Sequence, residues 1–232
     1  MTEIAIVPIE RLELALVPRP WPFARDKRAE IDAHFEALQR ATPALWNGRV
    51  LLLHDHAITG AVFHGAYLET DYASMLAWRE WNADSGIRNC FGMGALRGSD
   101  GAFVLGVMGA HTANAGRIYF PAGLPDLSDL DGTRVDLAGN VMREVAEETG
   151  LAPEDFDAEP GWITVLAGAR IAQIKLLQAR DTAAALAARI RAHLASEREP
   201  ELADVRVVRG AADFDPMMPE FVTAFLTHAW GS

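Results

Sequence analysis

The run R-E-V-A-E-E-T-G at residues 143–150 constrains the fold more than any other stretch, because it fixes a helix, its two sides and its last residue together. At about 100° per residue, Glu147 and Glu148 lie three and four positions beyond Glu144, so the three carboxylates share one side with Arg143 beside them. Ala138, Val141, Met142 and Val145 form an adjoining apolar stripe suited to a core. Asp136 can cap the start, Gly150 suits the left-handed residue just past the end, and Pro153 follows. Like charges at this spacing cost roughly 0.2–0.5 kcal/mol each, and anions in the last helical turn about 0.3–1 kcal/mol more. Taken alone, the run reads equally well as a solvated acidic face with an Arg143–Glu147 ion pair. Several local rules broken at one place often mark a site, and a divalent cation is the simplest agent that turns such repulsion into attraction.

Around this helix, short strand-like and helix-like segments alternate irregularly, which favours an α+β plan over a strict βαβ repeat. Residues 4–16 read as one or two strands and residues 28–40 as an amphipathic helix. Residues 49–54 and 59–67 read as strands separated by a D-H-A-I turn, and residues 72–81 as a helix. Residues 88–96 and 102–109 form a hairpin around G-S-D-G, and 117–120 is a short strand running into P-A-G. Two strands within 162–177, a helix over 182–194, a strand at 205–208 and a closing helix over 219–230 complete the chain. The composition places a boundary near N-A-D-S-G-I, dividing residues 1–87, an N-terminal α/β extension, from residues 88–232, the catalytic portion.

Half of the 232 residues are hydrophobic, enough for a sizeable core. With 21 Lys plus Arg against 32 Asp plus Glu, the net charge of −11 argues against a nucleic-acid surface, so an anionic ligand needs local help from a metal or a few placed basic groups. The single cysteine, Cys90, cannot form an internal disulfide and reads as packing in an apolar strand. Glu3, Glu10, Arg11 and Glu13 interrupt the first apolar run, and no stretch is long enough to span a membrane. These features suit a soluble cytoplasmic protein, with monomer and homodimer both open.

Residues 143–151, R-E-V-A-E-E-T-G-L, resemble the second half of the Nudix box, G-x5-E-x7-R-E-U-x-E-E-x-G-U with U aliphatic, at all seven specified positions. The strand ending in F-P-A-G, residues 120–123, stands where that family places one. The first half departs. If Gly123 opens the box, Arg143 follows 20 residues later instead of 14, so the loop carries six extra residues. Eight residues before Arg143 stands Val135 where the pattern has glutamate, leaving Asp131 or Asp136 as substitutes by a change of register. The resemblance implies the Nudix fold, a mixed sheet between helices, with an N-terminal α/β extension.

It further implies Mg²⁺, with Mn²⁺ as a substitute, and hydrolysis of a diphosphate. By the same resemblance Glu147 and Glu148 are the principal metal ligands. Glu144 joins them through water or serves as base, Arg143 orients the glutamates, and the Ala122 carbonyl completes the metal shell. A further carboxylate comes from the 197–204 loop, with Glu201 the first choice and Glu199 the second. The segments 44–53, 65–72 and 77–81, with the lengthened loop, resemble a divergent Nudix subgroup that includes the animal UDP-glucose and UDP-galactose hydrolase, which implies cleavage of a UDP-sugar to UMP and a sugar 1-phosphate. ADP-ribose or NADH is the second substrate reading, and a Nudix-fold nucleotide-binding module without turnover is the third. Asn47, Tyr67, Tyr72 and Trp78 offer stacking or hydrogen bonds for a base, and Arg49 and Arg79 could meet phosphate, although aromatics at this spacing also serve as core. His54 and His56 around Asp55 read as a turn, and the G-M-G of residues 92–94 as strand glycines.

Overall fold

The computed structural model describes residues 3–43, 45–83 and 86–231. Ala44, which opens the 44–53 string, and Asp84 and Ser85 of the boundary segment lie outside the described residues. The strands are β1 (Ile4–Ile9), β2 (Arg11–Leu16), β3 (Arg49–Thr59), β4 (Val62–Asp71), β5 (Asn89–Arg97), β6 (Phe103–Met108), β7 (Ile118–Tyr119), β8 (Ala122–Gly123), β9 (Leu130–Asp131), β10 (Arg134–Val135), β11 (Phe156–Ala158), β12 (Trp162–Ala167), β13 (Arg170–Ala179) and β14 (Leu202–Val208). The helices are α1 (Pro22–Asp26), α2 (Arg28–Ala41), α3 (Tyr72–Glu80), α4 (Leu137–Thr149), α5 (Ala183–Leu194) and α6 (Glu220–Gly231).

The architecture is α+β, built on two mixed sheets. The larger runs β1-β12-β13-β5-β6-β14, with β11, β7 and β8 pairing at its margins, and the smaller runs β3-β4-β2-β10-β9. Neighbours are antiparallel except for β13 with β5 and β2 with β4. The chain changes sheets between β1 and β2 at Glu10, and β9 and β10 return from the lengthened loop to complete the small sheet. Both sheets therefore draw strands from either side of residue 88.

Helices cover the large sheet on both faces. Val141 and Val145 of α4 pack with Leu186, Ala187 and Ile190 of α5 on one side, and Phe221, Val222 and Phe225 of α6 pack on the other. The small sheet is covered on both faces as well, which explains why V-L-L-L carries no polar alternation. Val50 and Leu52 face Ile31, Phe35 and Trp78, while Leu51 and Leu53 face Tyr67, Cys90 and Ile171. Among the described residues, no helix is long and apolar enough to cross a membrane.

The D-H-A-I turn is not formed. β3 runs unbroken through it, with a register shift between Leu53 and Asp55, and the chain reverses at Gly60. A bulge adds one residue and preserves the ladder on either side, so polar residues here mark an irregular strand rather than its end. His54 lies 3.2 Å from the Val17 carbonyl and His56 stacks on Phe63, so the H-D-H run packs locally.

Candidate active site

Helix α4 lies directly on β5 because Gly92 and Gly94 point at it. A Cβ on Gly92 would stand 2.5 Å from Val141 Cγ2, and one on Gly94 2.5 Å from Val145 Cγ2, too close for any side chain. The strand glycines thus set the depth of the helix. Its end is fixed by Gly150 at φ 67°, as the sequence implies, while the Asp136 side chain makes no capping bond.

β8 pairs with Gly92 and Met93 of β5, which brings the P-A-G backbone over the same helix. The Ala122 N–H donates to Glu148 Oε1 at 3.1 Å. Glu148 is 4% exposed, and its Oε2 is buried without a hydrogen-bond partner. Glu144 packs against Gly123 so closely that any Cβ there would collide with its carboxylate.

Burial pushes the Glu144 carboxyl up to about 7 against the opposing pull of Arg143, with Glu147, Glu201 and Asp129 adding to the rise. Burial also drives Glu148 well above the usual carboxylate range; the Ala122 N–H opposes it, and Glu201, Glu144 and Glu147 reinforce it. Glu147 differs from both: its side chain is 61% exposed and reaches Arg143 at 3.4 Å. Of the three, Glu148 is buried and Glu144 half-buried, with Glu147 at the rim.

Arg143 contacts Glu144 at 2.8 Å and, on its other side, Asp129 at 3.1 Å. Asp129 is buried and also accepts from the Asn140 side chain and the Asp126 N–H, each at 3.0 Å. Neither Asp131 nor Asp136 supports Arg143: Asp131 pairs with Arg134 at 2.9 Å, and Asp136 stands 3.8 Å from the same arginine. The extra loop residues fold into a turn at Leu127–Asp129 and the β9–β10 ribbon, and that turn delivers Asp129 where sequence counting places no acid.

Glu201 immediately precedes β14, and its carbonyl accepts from the Gly109 N–H at 2.8 Å. Its carboxyl is raised, chiefly by the crowding of surrounding atoms, with His111 opposing and Glu147 adding. Its charge adds to the rise of both Glu144 and Glu148, although its side chain is exposed. Glu199 is exposed.

A cavity of about 770 Å³ opens beside Ala122 and Gly123. Of the six residues expected to touch substrate, it is lined by Tyr72 and Arg79. The other four have structural duties. Asn47 accepts from the Ala73 N–H at the start of α3 at 2.8 Å, and Arg49 pairs with Glu69 at 2.7 Å. Tyr67 is fully buried, its hydroxyl donating to the Cys90 carbonyl at 3.2 Å, and Trp78 packs edge-on against Trp21. Sequence reasoning missed Asn89, Asn114, Arg117, Tyr119 and Arg170, which line the same cavity. They lie on separate strands and loops, and no local spacing relates them.

No family model matches this chain, and no curated protein does. Solved structures give looser likenesses, each at 14% identity. The Nudix hydrolase RenU from M. smegmatis aligns at a TM-score of 0.40 over 61% of this chain and 82% of its own. The MutT protein from Methanosarcina mazei Go1 aligns at 0.41 over 62% and 94%. A bifunctional NMN adenylyltransferase/ADP ribose pyrophosphatase from Francisella tularensis aligns at 0.42 over 68% and 45%. Likenesses at this level carry no weight for substrate or chemistry, which have to come from the site itself.

Proposed function

We propose that the chain is a Nudix-type hydrolase that holds a divalent cation on Glu144 and Glu148 and uses it to cleave the diphosphate joining a nucleoside to a second moiety. One observation carries the reading: Glu148 is buried with one carboxylate oxygen bonded to the Ala122 N–H and the other left without a partner. Ionising a buried carboxylate that has one oxygen unpaired is costly, and the neighbouring Glu144 makes it harder still. A small hard cation offsets both.

The residues present fit such an ion. They offer only oxygen donors, as Mg²⁺ prefers, with Mn²⁺ able to substitute. Among the described residues, no three His, Cys, Asp or Glu side chains are placed to hold an ion by themselves. Mg²⁺ does not require such a trio, since it is commonly held by one or two carboxylates together with waters and substrate phosphate oxygens. Glu144 and Glu148 would supply the protein ligands, with Glu147 and Glu201 at the rim and the Ala122 backbone alongside. The bound ion would neutralise charge on the phosphoryl oxygens and lower the pKa of an attacking water.

The chain's own contribution is positional. Asp129 fixes Arg143, Arg143 fixes the Glu144 carboxylate, and the β8 backbone fixes Glu148, so the acidic edge is preorganised. Asp129 holds Arg143 in a chain whose box lacks the upstream glutamate, which counts against reading it as a module without turnover. For the substrate, a UDP-hexose is the first compound to test, on the resemblance of segments 44–53, 65–72 and 77–81, with Tyr72 and Arg79 as the expected contacts.

The test is product analysis after incubation with Mg²⁺ and a panel of nucleoside diphosphate compounds. UMP with hexose phosphate supports the UDP-hexose reading, and AMP with ribose phosphate moves the assignment to ADP-ribose. Nucleotide binding without hydrolysis of any compound overturns the hydrolase reading.

A further inference from the structure

Away from the carboxylates, the same cavity gathers three arginines from distant parts of the chain: Arg79 on α3, Arg117 just ahead of β7, and Arg170 at the head of β13. None of the three makes an ion pair or a side-chain hydrogen bond among the described residues, in a chain with 32 acidic side chains available. They are close enough to repel one another. Burial and then the charges of Arg79 and Arg117 push the Arg170 pKa below its ordinary value. Arg170 lines an open cavity, so its surface is wet while the atoms packed around it are dense. With Glu220 set against three arginines, the cavity lining keeps a net positive charge, and a ligand anion is the agent that offsets it.

Arg170 is the register partner of Asn89, which lines the same cavity and whose side-chain Nδ2 is a donor that an anion can use. Ile4, Ala167, Arg170 and Asn89 sit side by side across β1, β12, β13 and β5, forming one wall of the cavity. The first turn of α6 also opens onto it and brings Glu220, the carboxylate on the lining. Tyr72 lines the same cavity; burial raises its hydroxyl pKa, with Arg79 opposing and Glu201 adding.

We infer that Arg79, Arg117 and Arg170 receive a phosphate monoester carried by the substrate in addition to the diphosphate that is cut. The inference rests on the hydrolase reading. A divalent cation at Glu144 and Glu148 already matches the double charge of a diphosphate diester, which leaves the arginine cluster for a separate group. A phosphate monoester adds about −1.5 to −2 of charge and three acceptor oxygens, which guanidinium forks engage in parallel pairs. Nucleoside diphosphate derivatives with a phosphorylated ribose or a phosphorylated second moiety then join the panel beside the UDP-hexoses, each to be compared with its unphosphorylated counterpart.

Two measurements test it. First, inorganic phosphate is titrated calorimetrically into the metal-free protein and into Arg117→Gln and Arg170→Gln, both at positions open to solvent, with melting curves confirming that each variant folds. The wild type should bind phosphate, and each substitution should weaken binding on the order of tenfold, the loss of a charge-assisted hydrogen bond or two. Second, kcat/KM is compared within matched pairs that differ by one phosphate monoester, NADPH against NADH and coenzyme A against its dephosphorylated form. In at least one pair the phosphorylated member should be favoured on the order of tenfold, and the ratio should fall toward one in either variant.

Absence of phosphate binding by the wild type overturns the inference, as do ratios near one in both pairs while other diphosphates are cleaved; both leave the hydrolase reading intact. Arginine-dependent phosphate binding without Mg²⁺-dependent hydrolysis of any diphosphate, in the pairs or in the wider panel, overturns the hydrolase reading instead, and leaves an anion site of different purpose.

Discussion

Arg143 Nη2 lies 3.1 Å from Asp129 Oδ1, a contact between the acidic edge of α4 and the loop that precedes it by 14 residues. With the 2.8 Å contact to Glu144 on the other side of the guanidinium, it makes the loop a brace for the site.

Replacing Asp129 by Asn removes the charge and one acceptor from a buried position that serves Arg143, Asn140 and Asp126. The expected loss is roughly 2–3 kcal/mol in urea unfolding, the scale of buried hydrogen bonds to a charged group. The control is Asp131→Asn, which breaks only an exposed pair with Arg134 and should cost less than about 1 kcal/mol. Equal effects of the two would remove Asp129 from its bracing role.

Gly123→Ala puts a methyl group where the Glu144 carboxylate rests. Overpacking of this kind costs about 1–3 kcal/mol. The carboxylate must also shift, so hydrolysis should fall further than stability alone accounts for. Thermal melting and turnover measured on the same preparation check this, and an unchanged kcat would show that Glu144 need not sit where it does.

Burial pushes the Cys90 thiol up to about 12, with Tyr67 and Gln173 opposing. The reactive thiolate is then almost absent near pH 8, whereas a free thiol with a pKa of about 8.5 is substantially ionised there. Iodoacetamide should leave the native protein unmodified at pH 8 and label it rapidly in denaturant. Labelling of the native protein that rises through pH 8–9 would contradict the packing assigned to Cys90.

The helix, its acidic side and its stop at Gly150 were legible in residues 136–150, because period and punctuation are local; of the expected stripe Val141 and Val145 are buried while Ala138 is exposed, and Asp136 makes no capping bond. Asp129 was not, since six additional residues fold into a turn and a ribbon that counting along the chain does not anticipate. Tyr67 and Trp78 looked available because aromatic residues serve cores and ligands alike, and only the second covered face of the small sheet decides for packing. Asn47 is polar, but its task is to accept from the backbone of α3. Arg117 and Arg170 carry no pattern at all; they meet Arg79 only when β13, β7 and α3 are brought together.

The central claim is that Glu148, with Glu144, holds a divalent cation, and Mn²⁺ titration followed by electron paramagnetic resonance reads it most directly. In the presence of a non-hydrolysable nucleoside diphosphate analogue, the wild type should bind Mn²⁺ in competition with Mg²⁺. Glu148→Gln, which keeps the shape and the bond from Ala122, should weaken binding on the order of tenfold or more, the scale of 10–100-fold seen when a metal site is perturbed. Equal Mn²⁺ binding by the wild type and Glu148→Gln, or none by the wild type with the analogue bound, would contradict the account.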